Sequence, residues 1–171
     1  MRIFFLLIII FGSIKTHSQI ASSSITNSLY NIKDISYLQK DISVKRSTPF
    51  QPKFMFLFKD SSVVYILVQG TKAIPTLIES ITDTALTNIK MTGSNNFLKR
   101  GDLAIILISY IEFMPAALIT RNQWCLCCDI GSLPIGFLVY VDSNRIDFQT
   151  KYKTYFYSQE RKDLLKRHKK N

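Results

Sequence analysis

Gly101-Asp102-Leu103-Ala104-Ile105-Ile106-Leu107-Ile108-Ser109-Tyr110-Ile111-Glu112-Phe113-Met114-Pro115 is the stretch on which the fold turns. As a helix it would be apolar on almost every side, so either protein or lipid has to wrap it. A spanning helix needs about 20 apolar residues. This run, continued to Ile119, stops short of that and contains Glu112 and Pro115, and a carboxylate at bilayer depth is costly. The stretch therefore predicts a buried core helix, opened by Asp102 as N-cap and closed ahead of Pro115. A short extended piece, Ala116 to Thr120, follows. No transmembrane span is expected. The implied class is a single compact domain of mainly α structure, with α+β built on a few short strands as the alternative.

On the N-terminal side, residues 84–101 are polar, and Gly93-Ser94-Asn95-Asn96 reads as a loop. Before them, Ile74, Leu77, Ile78 and Ile81 recur at i, i+3, i+4 and i+7, one face of a helix. Pro75 stands in its first turn, where a missing N–H does least harm. On the C-terminal side, Arg121 to Pro134 is irregular and Ile135 to Val141 is a further apolar element. Ser143 is placed to cap a helix with Phe148, Tyr152, Tyr155 and Phe156 on one side. Ser158-Gln159-Glu160 restarts a capped helix carrying Leu164 and Leu165.

Gly70 through Asp83 resembles the second helix of a HEAT-like repeat unit, with its Ala73-Ile74-Pro75, its Leu77-Ile78 pair and its closing Asp83. In that family paired helices stack into scaffolds that bind other proteins. No second copy occurs at a period of about 40 residues, so the resemblance implies a local helical pair and a packing style rather than an activity.

Further out, Val63 to Val68 follows the polar tetrad Lys59-Asp60-Ser61-Ser62, itself preceded by the apolar Phe54 to Phe58. A hairpin over 54–68 is one reading. A helix capped by Asp60 or Ser61 and ended by Gly70 is the preferred one. Lys45 to Pro52 reads as a linker, and Leu29, Ile32, Ile35, Leu38 and Ile42 predict a helix over 28–42. Residues 19–28 read as a loose leader. Met1-Arg2, the apolar run Ile3 to Phe11 and the small polar residues to Ser18 have the order of a signal peptide. The expected division is 1–18 signal peptide, 19–28 leader, 29–160 single globular domain and 161–171 basic C-terminal tail. Cleavage after Ser18 is preferred to cleavage after Ser22. The expected address is exported, periplasmic or secreted.

The formal charge is +10, and +8 once Arg2 and Lys15 leave with the leader. Such an excess favours acidic partners such as phosphate-rich lipid, acidic polymer or nucleic acid, with nucleic acid last because the chain reads as exported; the expected partner is a protein or an acidic envelope component, with a membrane surface as the further alternative. Richness in Ile, Lys, Asn and Phe suggests an AT-biased bacterial genome, so the chain resembles an uncharacterised exported bacterial protein. Lys166, Arg167, Lys169 and Lys170 are the candidate polyanion contacts, on a stretch that could also lie on an acidic membrane surface.

The two histidines, His17 and His168, lie in the leader and the tail. A Ser-His-Asp or Cys-His nucleophile system needs a positioned imidazole base, which argues against those enzyme classes. Trp124-Cys125-Leu126-Cys127-Cys128 contains W-C-x-x-C, which looks like the redox motif of the thioredoxin family. The resemblance implies attack by Cys125 and resolution by Cys128, at a thiolate stabilised by a helix start. Asp129 to Pro134 reads as turn instead, and the alternative is a local disulfide between Cys125 and Cys128 with one thiol left over. Cys-x-Cys-Cys lacks a nearby fourth soft ligand, and neither metal nor cofactor is expected. Glu112 is a candidate general acid through burial or a salt-bridge partner of a base such as Arg121. Glu79 and Asp83 could share a cation at i, i+4. Arg100-Gly101-Asp102 spells an adhesion tripeptide but is explained by helix entry. Together these features point to a non-enzymatic protein that contacts another envelope component, with a thiol-dependent redox or transfer enzyme as the alternative.

Overall fold

The computed structural model describes residues 19, 21–35, 59–90, 96–124, 128–130, 133–134 and 136–168. The first helix, α1, covers residues 21–31. Next come α2 (Ser61–Gln69), a 3-10 turn (Gly70–Lys72) and α3 (Ile74–Ser80). A hairpin follows, β1 (Leu86–Lys90) and β2 (Phe97–Lys99), then α4 (Arg100–Ile111) and α5 (Ala116–Thr120). The chain closes with β3 (Cys128–Ile130), β4 (Leu133–Pro134), α6 (Phe137–Ser143), α7 (Arg145–Tyr157) and α8 (Gln159–His168). The fold is mostly helical, and its strands form two separate two-stranded antiparallel ribbons.

The quoted stretch is the centre of the molecule. Every residue of α4 from Gly101 to Ser109 is buried, as is Ile111. Because the helix is apolar all round it has no solvent face to offer, so neighbours enclose it: α2, α3 and β2 pack against it, and α7 packs against α3 and α5. Among the described residues no single helix is long and apolar enough to cross a membrane. Its entry differs from the expected one. Lys99 is the N-cap residue, and Asp102 sits one turn inside, accepting the Lys99 backbone N–H at 2.8 Å. That is the reach-back half of a capping box.

The preferred helical reading of 60–70 holds. Asp60 caps α2 by accepting from the N–H groups of Ser62 (2.8 Å) and Val63 (3.2 Å), and Gly70 ends it with φ of 55°, where a side chain would strain the backbone. Phe54 to Phe58 lie outside the described residues. The isoleucine–leucine face of α3 is buried as its spacing requires: Ile74, Leu77, Ile78 and Ile81 are each at most 1% exposed. The helix is shorter than the stretch Gly70 to Asp83, because the 3-10 turn takes its start and the chain bends by 113° between Ser61–Lys72 and Ile74–Ser80.

Several expectations need correction. Residues 19–28 are not a loose leader. Residues 21–31 are helical, with Ile25, Leu29, Ile32 and Ile35 in the core. Ile25 stands four residues before Leu29 and extends the same apolar stripe, among serines that are exposed (Ser22, Ser23) or half-buried (Ser24, Ser28). Asp60 fastens this segment, because its second carboxylate oxygen accepts from the N–H groups of Lys33 (2.7 Å) and Asp34 (3.2 Å). The predicted helix at 28–42 therefore ends early, and 36–42 lies outside the described residues. Within the polar stretch 84–101, Leu86–Lys90 and Phe97–Lys99 pair as the β1–β2 ribbon, where among the described residues only Ile89 and Leu98 are buried, too few apolar positions to announce a strand. Ala116 to Thr120 is helical rather than extended, with Thr120 Oγ1 bonding back to the Ala116 carbonyl at 2.7 Å. Ser143 ends α6, and Asn144 precedes α7 as the cap residue.

The aromatic face of α7 is buried as expected, and it anchors a ring ladder. Trp124 meets Phe137 at 5.2 Å, Phe137 meets Phe148 at 5.3 Å, and Phe148 stacks on Tyr152 at 5.9 Å. Such pairs add directional preference to their area burial, and here they tie α6 and α7 to the turn after α5. Ser158 starts α8 as its sequence implies, its hydroxyl accepting from the Arg161 N–H at 3.2 Å.

Candidate functional site

Both ends of α4 carry a buried carboxylate, and each carboxylate finds an arginine from the C-terminal helices. At the start of the helix, Asp102 accepts from Arg145 Nη2 at 2.6 Å. The guanidinium also donates to the Ile81 carbonyl (3.1 Å) and to Asp142 (2.9 Å and 3.2 Å). Lys99 adds a second cation on Asp142. Its hydrogen bond is the main reason the Asp142 carboxyl lies below its usual range, and the bond from Arg145 acts the same way. Arg145 thus fastens α7 to the end of α3 and the start of α4, with its own head and Asp102 buried and Asp142 at the surface. Gly101 makes the approach possible: a Cβ there would lie 2.2 Å from the Ile81 carbonyl oxygen and 2.7 Å from Arg145 Nη1.

At the far end, Glu112 receives a bidentate clasp from Arg161, Nε to Oε1 at 2.6 Å and Nη2 to Oε2 at 2.5 Å. The guanidinium lies over the Phe156 ring, 4.1 Å from its centroid, and donates to the Phe156 carbonyl at 3.3 Å. The clasp holds the Arg161 proton more firmly than usual, through the Glu112 hydrogen bonds. Beside the pair, the Tyr152 hydroxyl is buried with no hydrogen-bond partner among the described residues. Burial, reinforced by the Glu112 charge, raises the Tyr152 hydroxyl far above its ordinary value and pushes Tyr155 up to about 12.

Glu112 is therefore in apolar surroundings as expected, but its partner is Arg161 and not Arg121. Arg121 is exposed and left-handed at the end of α5, with φ of 57°. With both carboxylate oxygens engaged by one guanidinium, the arrangement suits a fastening more than proton transfer to a substrate. Arg161 also moves the domain boundary: the first residue of the expected tail is bound to the core, and helix continues to His168. Glu79 and Asp83 do not converge. Glu79 pairs with Lys153 at 2.6 Å and Asp83 with Arg100 at 3.8 Å, and no group of acidic, histidine or cysteine side chains able to hold a metal occurs among the described residues. The Arg100-Gly101-Asp102 tripeptide is built into the first turn of α4, its aspartate buried on Arg145.

Cys125 and Cys127 lie outside the described residues, and for Cys128 the backbone forms the first position of β3, paired with Pro134. Lys166 is exposed on α8, with Asp163 at 3.8 Å. Arg167 continues the helix, and Lys169 and Lys170 lie outside the described residues. Sequence reasoning missed the two arginines that matter most. A signal for Arg145 was present: it stands three residues before Phe148, on the aromatic face of α7, where a charged side chain must find a partner. Arg161 had no such signal, because it lies in the strongly polar run Gln159 to Asp163 with no apolar face around it. No family model, no curated protein and no solved structure matches the chain.

Proposed function

We propose that the chain is an exported bacterial protein that acts without catalysis, through contact with an acidic component of the cell envelope. The observation that carries this reading is where its charges stand. Acidic side chains of the body are turned onto its own bases: Asp83 on Arg100, Asp102 on Arg145, Glu112 on Arg161, Asp147 on Lys151 and Glu79 on Lys153. The excess is basic. It includes the exposed Lys33, Lys59, Lys72 and Lys162, and by sequence Lys40, Lys45, Arg46, Lys53, Lys169 and Lys170. Such a surface draws acidic partners over a distance set by salt.

The test is retention of the full chain on immobilised dextran sulfate and on vesicles of phosphatidylglycerol, across a salt series. Binding at low salt that falls steeply as salt rises is expected. Absence of retention on both at low salt would remove the reading. A fast-reacting, low-pKa Cys125 thiol in titration of the folded chain would replace it with the thiol-dependent one.

A further inference from the structure

We infer that Tyr152 is a reserve partner for Glu112 and makes α8 a releasable latch: when α8 opens, the buried carboxylate passes from the Arg161 guanidinium to the Tyr152 hydroxyl. The closed form leaves that hydroxyl unexplained. Tyr152 lies wholly inside the body, and its hydroxyl has no hydrogen-bond partner among the described residues. A buried hydroxyl without a partner carries a desolvation cost that phenylalanine would avoid in the same space.

The packing sets Tyr152 beside the clasp. Tyr152 and Phe156 are one turn apart on the buried face of α7. Arg161 lies over the Phe156 ring at 4.1 Å and donates to the Phe156 carbonyl, and it holds Glu112 at 2.5 Å and 2.6 Å. Burial is the main reason the Tyr152 hydroxyl lies far above its ordinary value. The Glu112 charge raises it further and Arg161 lowers it, so the hydroxyl stands in the field of both.

The latch itself is lightly held. No residue from 159 to 166 is fully buried, and α8 leaves α7 through the extended backbone of Ser158, φ −73° and ψ 159°. An element so exposed opens at less cost than the whole domain unfolds. Opening sends the Arg161 head to water, where it needs no protein partner. The Glu112 side chain, 4% exposed, cannot follow it. Tyr152 removes that penalty, because its O–H donates to the carboxylate in a charge-assisted bond, and one bond satisfies two groups. The chain therefore has two forms, one with Arg161 inside and one with it in solvent.

The experiment compares the full chain with Tyr152→Phe, Arg161→Gln and the double variant, by native-state hydrogen exchange and by denaturant unfolding. Relative to α7, the α8 amides of Tyr152→Phe should exchange about tenfold more slowly, since the closed form sheds its orphan and the open form loses a bond to a charged group. Arg161→Gln should lower the folding equilibrium constant about tenfold more when Tyr152→Phe is already present than when it is not. In Arg161→Gln alone, proton NMR should show a slowly exchanging tyrosine hydroxyl that is missing from the double variant. Additive effects of the two substitutions would overturn the handover, and so would α8 exchange that is unchanged or faster in Tyr152→Phe. If Arg161→Gln does not fold, Arg161→Lys takes its place in the cycle, keeping the charge and losing the two-pronged grip. The exchange arm needs neither variant.

Discussion

The two ends of α4 are fastened by the same chemistry and to different degrees. At its start, Arg145 reaches Asp102, Asp142 and the Ile81 carbonyl, so one side chain locks three segments, and removing any one contact leaves the others. At its end, Arg161 holds one carboxylate, one ring and the Phe156 carbonyl, and beyond it Leu164 adds a partly buried apolar contact with the core. A buried ion pair adds little net stability over an apolar replacement, yet breaking one partner leaves a stranded charge. The comparison teaches that burial alone does not rank these pairs. What ranks them is how easily the orphaned group can escape to water after its partner is lost.

Arg145→Met should be the most damaging change, because Asp102 is 7% exposed and cannot turn out of the core. A loss of about 3–5 kcal/mol is expected in denaturant unfolding, with all helices melting together. Gly101→Ala should come next, at about 2–4 kcal/mol, because the added methyl meets backbone at Ile81 and not a flexible side chain. If Gly101→Ala were neutral, the close approach of α3 to α4 would be wrong. Glu112→Gln should cost about 1–3 kcal/mol, and unevenly: hydrogen exchange should quicken in α8 and leave α7 protected, since the freed Arg161 head can swing into solvent. Uniform quickening would make the two ends equivalent.

The smallest effect, and the sharpest discriminator, is in pH. Asp142 has its folded pKa lowered by Lys99, so its contribution is present above the ordinary carboxylate value and lost as pH falls through the folded one. Tyr155 is raised to about 12 from 10.0, so its contribution is complete below pH 10 and lost as pH climbs toward 12. Acid should therefore loosen the start of α4 and alkali its end. Tyr155→Phe should lessen the alkaline fall in stability without abolishing it, because the more strongly raised Tyr152 contributes to the same limb, and should leave the acid limb unchanged, as followed by unfolding at each pH alongside tyrosinate absorbance.

Much of this was legible in order along the chain. The unbroken run from Leu103 could only be a wrapped helix, the spacing from Ile74 to Ile81 set one buried face, and the aromatic rings from Phe148 to Phe156 set another. Local chemistry also placed the Asp60 and Gly70 caps and the Ser158 restart. Sequence was least informative where apolar positions are sparse. The β1–β2 ribbon has only Ile89 and Leu98 to bury, and the serines around Ile25 disguised α1 as a leader.

Periodicity and capping act over a few residues, so the chain's own order determined that it would fold as helices around 101–111, with its basic excess outward. Which acid meets which base is different in kind. Asp102 and Arg145 are 43 positions apart, and Glu112 and Arg161 are 49. Nothing local selects those partners over Arg121 or Lys99. Only the packing of α7 and α8 against the ends of α4 decided them, because a buried charge accepts the partner that the surrounding helices bring within reach.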